Sequence, residues 1–182
     1  MDKAELKKWL DRYDKEETQY DAELERNLGS KIRKSKSLTK EDLLKIVKWK
    51  FPSQSRLKGR QKRTLNLLKT VSAVEIQEIC RNALNCDCDR ARIILLMGIK
   101  GVKAALASTI LAFYDPVNYC VFDIHVYDEL FGTNPKTRPK NLFSVPDYYL
   151  KTLSKVRLLA KKNGLKTREV EKALFKKNLE KG

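Results

Sequence analysis

The residues best placed to do chemistry lie between positions 95 and 126. The segment Leu95-Leu96-Met97-Gly98-Ile99-Lys100-Gly101-Val102-Lys103-Ala104-Ala105-Leu106-Ala107-Ser108 reads as a helix, a glycine-containing turn and a second helix. Backbone amides exposed in such a turn, together with the N-terminal end of the second helix, make a site for a phosphate. Glycine there permits positive φ and close approach of an anion. Ala104, Ala105, Ala107 and Ser108 are small enough for the second helix to pack tightly on the first. Any helical hairpin uses such residues, so this pattern alone has modest weight. Fifteen residues beyond Ser108 stands Asp123, in Val121-Phe122-Asp123-Ile124-His125-Val126. A carboxylate at that position is suited to cap a helix beginning at Ile124.

Metal and thiol chemistry find less support. The cysteines are Cys80, Cys86, Cys88 and Cys120. Cys86-x-Cys88 is too tight for the usual zinc spacing, and the single histidine, His125, cannot complete a Cys2His2 set. The ordered short spacings of an iron–sulfur cluster are missing. Without a hydrophobic signal region at Met1-Asp2-Lys3-Ala4-Glu5, reduced thiols acting as small buried apolar residues are expected, in an intracellular protein of the cytoplasm, nucleoid or nucleus.

The charge pattern points to a polyanion. Among 182 residues, 39 are Lys or Arg and 23 are Asp or Glu, a formal charge of +16. The excess is concentrated in two blocks, residues 31–63 with 13 basic and 2 acidic side chains, and residues 136–182 with 14 and 4. Residues 1–30 and 71–130 are each slightly acidic. Two such blocks repel each other unless a phosphate backbone lies against them, which predicts salt-dependent nucleic-acid binding. Apolar residues make up 42% of the chain, enough for a packed interior. The most apolar stretch, Ala104 to Tyr114, is about half the length of a membrane span, so no membrane partner is expected.

These groups must be held by helices. Leu6, Trp9, Leu10 and Tyr13 recur near a 3.6-residue period. Thr39-Lys40-Glu41-Asp42 is an N-cap signal for a helix through Leu43, Leu44, Ile46 and Val47, ending near Phe51-Pro52. A Ser/Gly/Arg-rich loop is expected over 53–60, then a short helix marked by Leu65, Leu67 and Leu68. Ser72-Ala73-Val74-Glu75 is a capping box for a helix through Ile76, Ile79, Cys80, Ala83 and Leu84. Asp87 or Asp89 is expected to cap the next, which carries Ile93 to Leu96. Helices follow from Ala104 to Tyr114, from Ile124 through Leu130 to Gly132, from about Pro146 to Lys162 before Asn163-Gly164, and from a Thr167 cap to about Leu179. Residues 133–141 form a Pro-punctuated basic loop. Only Tyr119 to Phe122 competes as a strand, and it is too short for a sheet. The class is all-α.

The pairing of Ile99-Lys100-Gly101-Val102-Lys103 with Asp123-Ile124-His125-Val126, joined by one helix, resembles the helix-hairpin-helix DNA glycosylase superfamily, which includes endonuclease III and 8-oxoguanine DNA glycosylase. The match covers about 30 residues. It implies a two-lobed fold, with one lobe at about 39–130 and the other made from 1–38 and 131–182. It implies a monomeric DNA repair enzyme that removes a damaged base from double-stranded DNA, with Asp123 as catalytic carboxylate. Ile99, Lys100, Gly101, Val102, Lys103 and His125 would contact DNA, and the carbonyls of Ile99 and Gly101 would hold a monovalent cation. Lys103 replaces the hairpin's second glycine. Aligned without gaps, the Schiff-base lysine of bifunctional members falls on Ala105, which implies a monofunctional enzyme with water as nucleophile. Lys103 or Lys100 would serve as the amine only if the hairpin register slips. The four-cysteine cluster of endonuclease III-like members has no counterpart after Cys120, so no iron–sulfur cluster is expected. Base flipping needs a wedge and a stacking pocket, for which Trp49, Phe51, Tyr127, Tyr148 and Tyr149 are candidates by type. Two other readings remain: a non-catalytic helix-hairpin-helix DNA-binding protein, and a basic RNA-binding protein.

Overall fold

The computed structural model describes residues 1–55 and 57–181. Arg56, within the loop expected over 53–60, and Gly182, at the end of the second basic block, lie outside the described residues. Ten helices and no strand are present among the described residues, so the fold is all-α. In chain order they are α1 (Lys3–Glu16), α2 (Gln19–Ser35), α3 (Lys40–Lys50), α4 (Lys58–Lys69), α5 (Ala73–Asn85), α6 (Asp89–Met97), α7 (Ala104–Tyr114), α8 (Ile124–Phe131), α9 (Pro146–Asn163) and α10 (Thr167–Lys181). No helix among the described residues is long and apolar enough to cross a membrane.

Short polar side chains start many of these helices by accepting an otherwise orphaned amide. Asp2 accepts from Glu5, Thr18 from Asp21, Thr39 from Asp42 and Ser72 from Glu75. α6 departs from expectation. Its N-cap is Cys88, without a side-chain bond, and neither Asp87 nor Asp89 caps it. Asp89 instead receives the Tyr119 hydroxyl and pairs with Arg157 of α9. α4 begins at Lys58, so the loop before it is shorter than expected. Thr167 is the first residue of α10 rather than its cap, and Glu169 accepts the Lys166 amide.

α2 is the element with no separate place in the sequence reading. Its signal was present in the Thr18 cap and in Leu24, Leu28 and Ile32 at four-residue spacing. α7 is the centre of the fold. Every residue from Ala104 to Phe113 is buried, and α2, α3, α6 and α9 all pack on it. Gly29 lets α2 come close, since a Cβ there would lie 2.5 Å from the Phe113 carbonyl oxygen. α10 is the second organiser, packed by α1, α8 and α9.

The α1–α10 contact combines ring packing, Tyr13 edge-on to Phe175, with ion pairs that α10 also extends to α8. Lys172 pairs with Glu17 at 2.9 Å, Lys177 with Glu5 at 2.8 Å and with Glu129 at 3.1 Å, and Lys176 with Glu16 at 2.5 Å. The acidic N-terminal segment thus neutralises part of the second basic block, pairing with Arg168, Lys172, Lys176 and Lys177. Residues 31–63 stay the less neutralised block, with Lys31–Asp42 and Lys50–Asp123 as its ion pairs among the described residues.

The cysteines divide. Cys80 and Cys120 are buried, and burial pushes the Cys80 thiol up to about 12. Cys88 is exposed and Cys86 is half-buried, contrary to the expectation of four buried thiols.

Candidate active site

Asp123 is placed by the short extended run that precedes it. α7 and α10 each hold one amide of that run. The Phe122 amide donates to Ser108 Oγ at 2.8 Å, and the Val121 amide donates to Glu171 Oε2 at 3.1 Å. Buried amides of this kind must be paired, so these two acceptors fix where α8 begins. Asp123 then caps α8, its Oδ1 accepting the His125 amide at 3.1 Å. Oδ2 accepts Lys50 Nζ at 2.9 Å. Burial pushes the Asp123 carboxyl up, but the Lys50 ammonium and the His125 amide outweigh it and hold the pKa below the usual carboxylate range. Asp123 is therefore an anion at neutral pH.

Lys50 is the last residue of α3, which stops where Pro52 disfavours helical geometry at Phe51. Its side chain is 9% exposed and that of Asp123 18%. Both open into a cleft of about 900 Å³. The cleft wall carries the rings of Tyr13, Trp49, Phe51, Phe143 and Phe175, beside the carboxylates of Glu16, Glu17 and Asp21. At its mouth, the Arg60 guanidinium lies 5.8 Å from the Phe51 ring centroid and 5.6 Å from that of Phe143. The loop 133–141 folds back on α8 through Asp128, which receives Arg138 Nε at 2.9 Å and Thr133 Oγ1 at 2.6 Å. That brings Pro135, Arg138, Pro139 and Lys140 to the rim.

Behind the cleft, Arg168 is buried and bonds Glu25 through two nitrogens at 3.0 Å each, as well as Glu171. Glu171 also faces the cleft. Desolvation raises its carboxyl above the usual range despite the pull of Arg168. His125 lines the cleft, pairs through Nδ1 with Asn178 Oδ1 of α10 at 2.9 Å, and stands edge-on to Phe175.

The hairpin stands apart from this chamber. Gly101 has φ +92°, the left-handed region glycine favours. Ile99 and Val102 are buried, and the Ile99 carbonyl accepts the Val102 amide at 2.9 Å. Of the two carbonyls suggested for a monovalent cation, this one therefore already has a protein partner. The Ala104 amide at the α7 N-terminus donates to the Phe143 carbonyl at 3.0 Å, so the loop before α9 takes one donor of the expected phosphate site. Lys100 is exposed, and Lys103 Nζ reaches Ser144 Oγ at 3.3 Å. Neither lysine is among the residues that wall the cleft, whereas Ala105 is.

Among the aromatic candidates, Trp49 and Phe51 line the cleft. Tyr149 is fully buried, and Tyr127 is buried against Phe131. Neither of the two lines the cleft, whereas Phe51 does although only 5% of it is exposed. Sequence reasoning missed Lys50, Tyr13, Phe143, Phe175 and Glu171. Their only sequence mark was residue type, because they come from four separate segments.

Compared with protein-family models, curated proteins and solved structures, the chain gives no match.

Proposed function

We propose that the protein is a DNA repair glycosylase that hydrolyses the N-glycosidic bond of a damaged base in duplex DNA. The observation that carries this reading is an ionised carboxylate, Asp123, opening into an aromatic-walled cleft. Breaking the glycosidic bond builds positive charge on the deoxyribose, and a preorganised carboxylate stabilises that oxocarbenium-like state. The same group orients the attacking water. A base rotated out of the duplex needs a chamber with flat apolar walls, and Trp49, Phe51, Phe143 and Phe175 offer them. The less neutralised basic block 31–63, whose Lys50 and Arg60 line the cleft, is the proposed phosphate-facing surface.

Within this reading, the α6–turn–α7 unit corresponds to the hairpin of a two-lobed glycosylase. Lys100, Gly101, Lys103 and His125 remain its proposed DNA contacts, while the buried side chains of Ile99 and Val102 hold the turn. A monovalent cation at the Ile99 and Gly101 carbonyls would stiffen the turn. No step of the reaction depends on it.

The test is release of free base from duplexes carrying uracil, hypoxanthine, 8-oxoguanine, alkylated purines or oxidised pyrimidines, measured by chromatography. The expected result is release of at least one of these bases by the wild type. Tight duplex binding with no base released from any of them would instead identify a non-catalytic binding module, and preference for A-form RNA a basic RNA-binding protein.

A further inference from the structure

α9 carries a second groove, separate from the cleft. One face of the helix presents Leu150, Leu153, Ser154, Arg157, Leu158 and Lys161, and with Asp89 of α6 it bounds about 410 Å³. None of these residues lines the cleft. Their spacing is that of one helical stripe, and at 1.5 Å per residue it runs for about 16 Å along the axis. Leu153 is buried at the floor, Leu150 is partly buried, and Leu158 is 66% exposed. A single surface leucine needs no explanation, but three sharing one groove make a continuous apolar seat.

The charge around this seat is one-sided. Asp89 is already engaged, accepting from Arg157 and, at 2.5 Å, from the Tyr119 hydroxyl. Among the described residues, the α9 side chains in salt bridges are Asp147, with Arg90, and Arg157, with Asp89. Lys161 is exposed and stands outside those pairs, as do Lys151, Lys155 and Lys162 on the adjoining stripe. The groove is therefore apolar at its floor and cationic along its edge.

We propose that this face of α9 docks an acidic amphipathic helix of a partner protein. Apolar side chains of that helix seat on Leu150, Leu153 and Leu158, and its carboxylates face Lys151, Lys155, Lys161 and Lys162. The surface goes beyond the glycosylase reading and does not depend on it. A stripe at helical spacing receives the ridges of a second helix. An extended peptide would need a sheet edge to pair with, and no strand is present among the described residues. A phosphate backbone would meet the lysines but leave the leucines against charge, whereas an acidic helix with an apolar stripe satisfies both. Opposite charges across the contact speed encounter and fix its register.

The experiment presents the full chain to a display library of helix-forming peptides about four turns long, randomised at every position. Counter-selection uses the Leu158→Glu variant, whose site is exposed. Enriched sequences are expected to carry apolar residues at i, i+3 or i+4, and i+7, flanked by Asp and Glu. A synthetic peptide of the enriched sequence is expected to shift the backbone amide resonances of residues 150–161 and Asp89. It is expected to bind Leu158→Glu, Leu158→Ser and Lys161→Glu about tenfold or more weakly than the wild type, while all three variants keep the wild-type unfolding midpoint. Duplex DNA is expected not to displace it. The proposal is overturned if no sequence is enriched over the variant, if enriched sequences lack acidic residues, or if the shifted resonances belong to the cleft. Displacement by duplex DNA also overturns it and assigns the face to nucleic acid. Dimerisation of the wild type that Leu158→Glu abolishes, seen by sedimentation, overturns it in favour of a second copy of this chain.

Discussion

At Asp123 one carboxylate serves two neighbours, the α8 amide at His125 and the Lys50 ammonium. The capping role was readable from position, since Asp before an apolar helical run is a common start. The pairing with Lys50 was not, because 73 residues separate the partners and nothing in either segment marks the other. Asn also caps helices well. Asp123→Asn therefore separates the roles, keeping α8 anchored while removing the negative charge. Ser108 is a positioning residue in the same arrangement. Ser108→Ala leaves the buried Phe122 amide without its acceptor, at a cost of about 1–3 kcal/mol. Urea unfolding is expected to show that loss, and base release is expected to fall with it as Asp123 shifts. If stability and base release both stay at wild-type values, the tether from α7 does not hold the site. Arg60 tests the mouth of the cleft. Arg60→Ala is expected to weaken duplex binding and to reduce the salt slope by about one, as for loss of a single phosphate contact. An unchanged slope would place Arg60 off the DNA surface.

The helices were largely legible because capping residues and apolar periodicity are local signals. Thr39, Ser72 and Pro52 mark ends that the structure keeps. α2 carried the same local signals, a Thr18 cap and Leu24, Leu28 and Ile32 at four-residue spacing, but its docking on α7 had no mark in the sequence. Gly29 shows the same dependence, since its role appears only when Phe113 is placed against it. Gly29→Ala is expected to destabilise the fold by about 1–3 kcal/mol through backbone overpacking. The two hairpin glycines differ. A Cβ would meet a neighbour at 3.0 Å at both, Leu67 Cβ for Gly101 and the Leu95 carbonyl oxygen for Gly98, but Gly101 sits at φ +92° whereas Gly98 has an ordinary helical φ of −65°. Gly101→Ala should thus cost about 1–2 kcal/mol from conformation alone, and Gly98→Ala less. Equal unfolding midpoints for the two variants would contradict this account of the turn.

Over the whole molecule, the acidic first helices lie against the basic last one, an arrangement that block-by-block charge counting could not show. The consequence is a definite pH dependence. Asp42, Asp89, Asp123, Asp128, Glu25 and Glu129 all have carboxyls held below their ordinary values, with desolvation raising each and its basic partners or hydrogen bonds outweighing that effect. A lowered folded pKa contributes stability above the unfolded value, and this is lost as pH falls through the folded one. Glu171, raised by burial, acts in the opposite sense, but it is one group against these six and Asp147, which its bond to Arg90 also lowers. Urea unfolding is therefore expected to vary little between pH 6 and 8 on account of these carboxylates, and stability to fall on acidification below the ordinary values of 4.5 for Glu and 3.8 for Asp. A rise in stability over that acid range would contradict the ion-pair assignments. Because the second basic block is partly neutralised, duplex binding should depend mainly on residues 31–63, and raising salt from about 50 to 200 mM should weaken it by about tenfold or more. The most direct measurement of the central claim is release of free base from the damaged duplexes by the wild type and by Asp123→Asn. The account predicts release by the wild type of at least one damaged base, slowed about a hundredfold or more in Asp123→Asn while the variant still folds and binds duplex DNA. Equal release by the two proteins, or none by a wild type that binds DNA tightly, would contradict it.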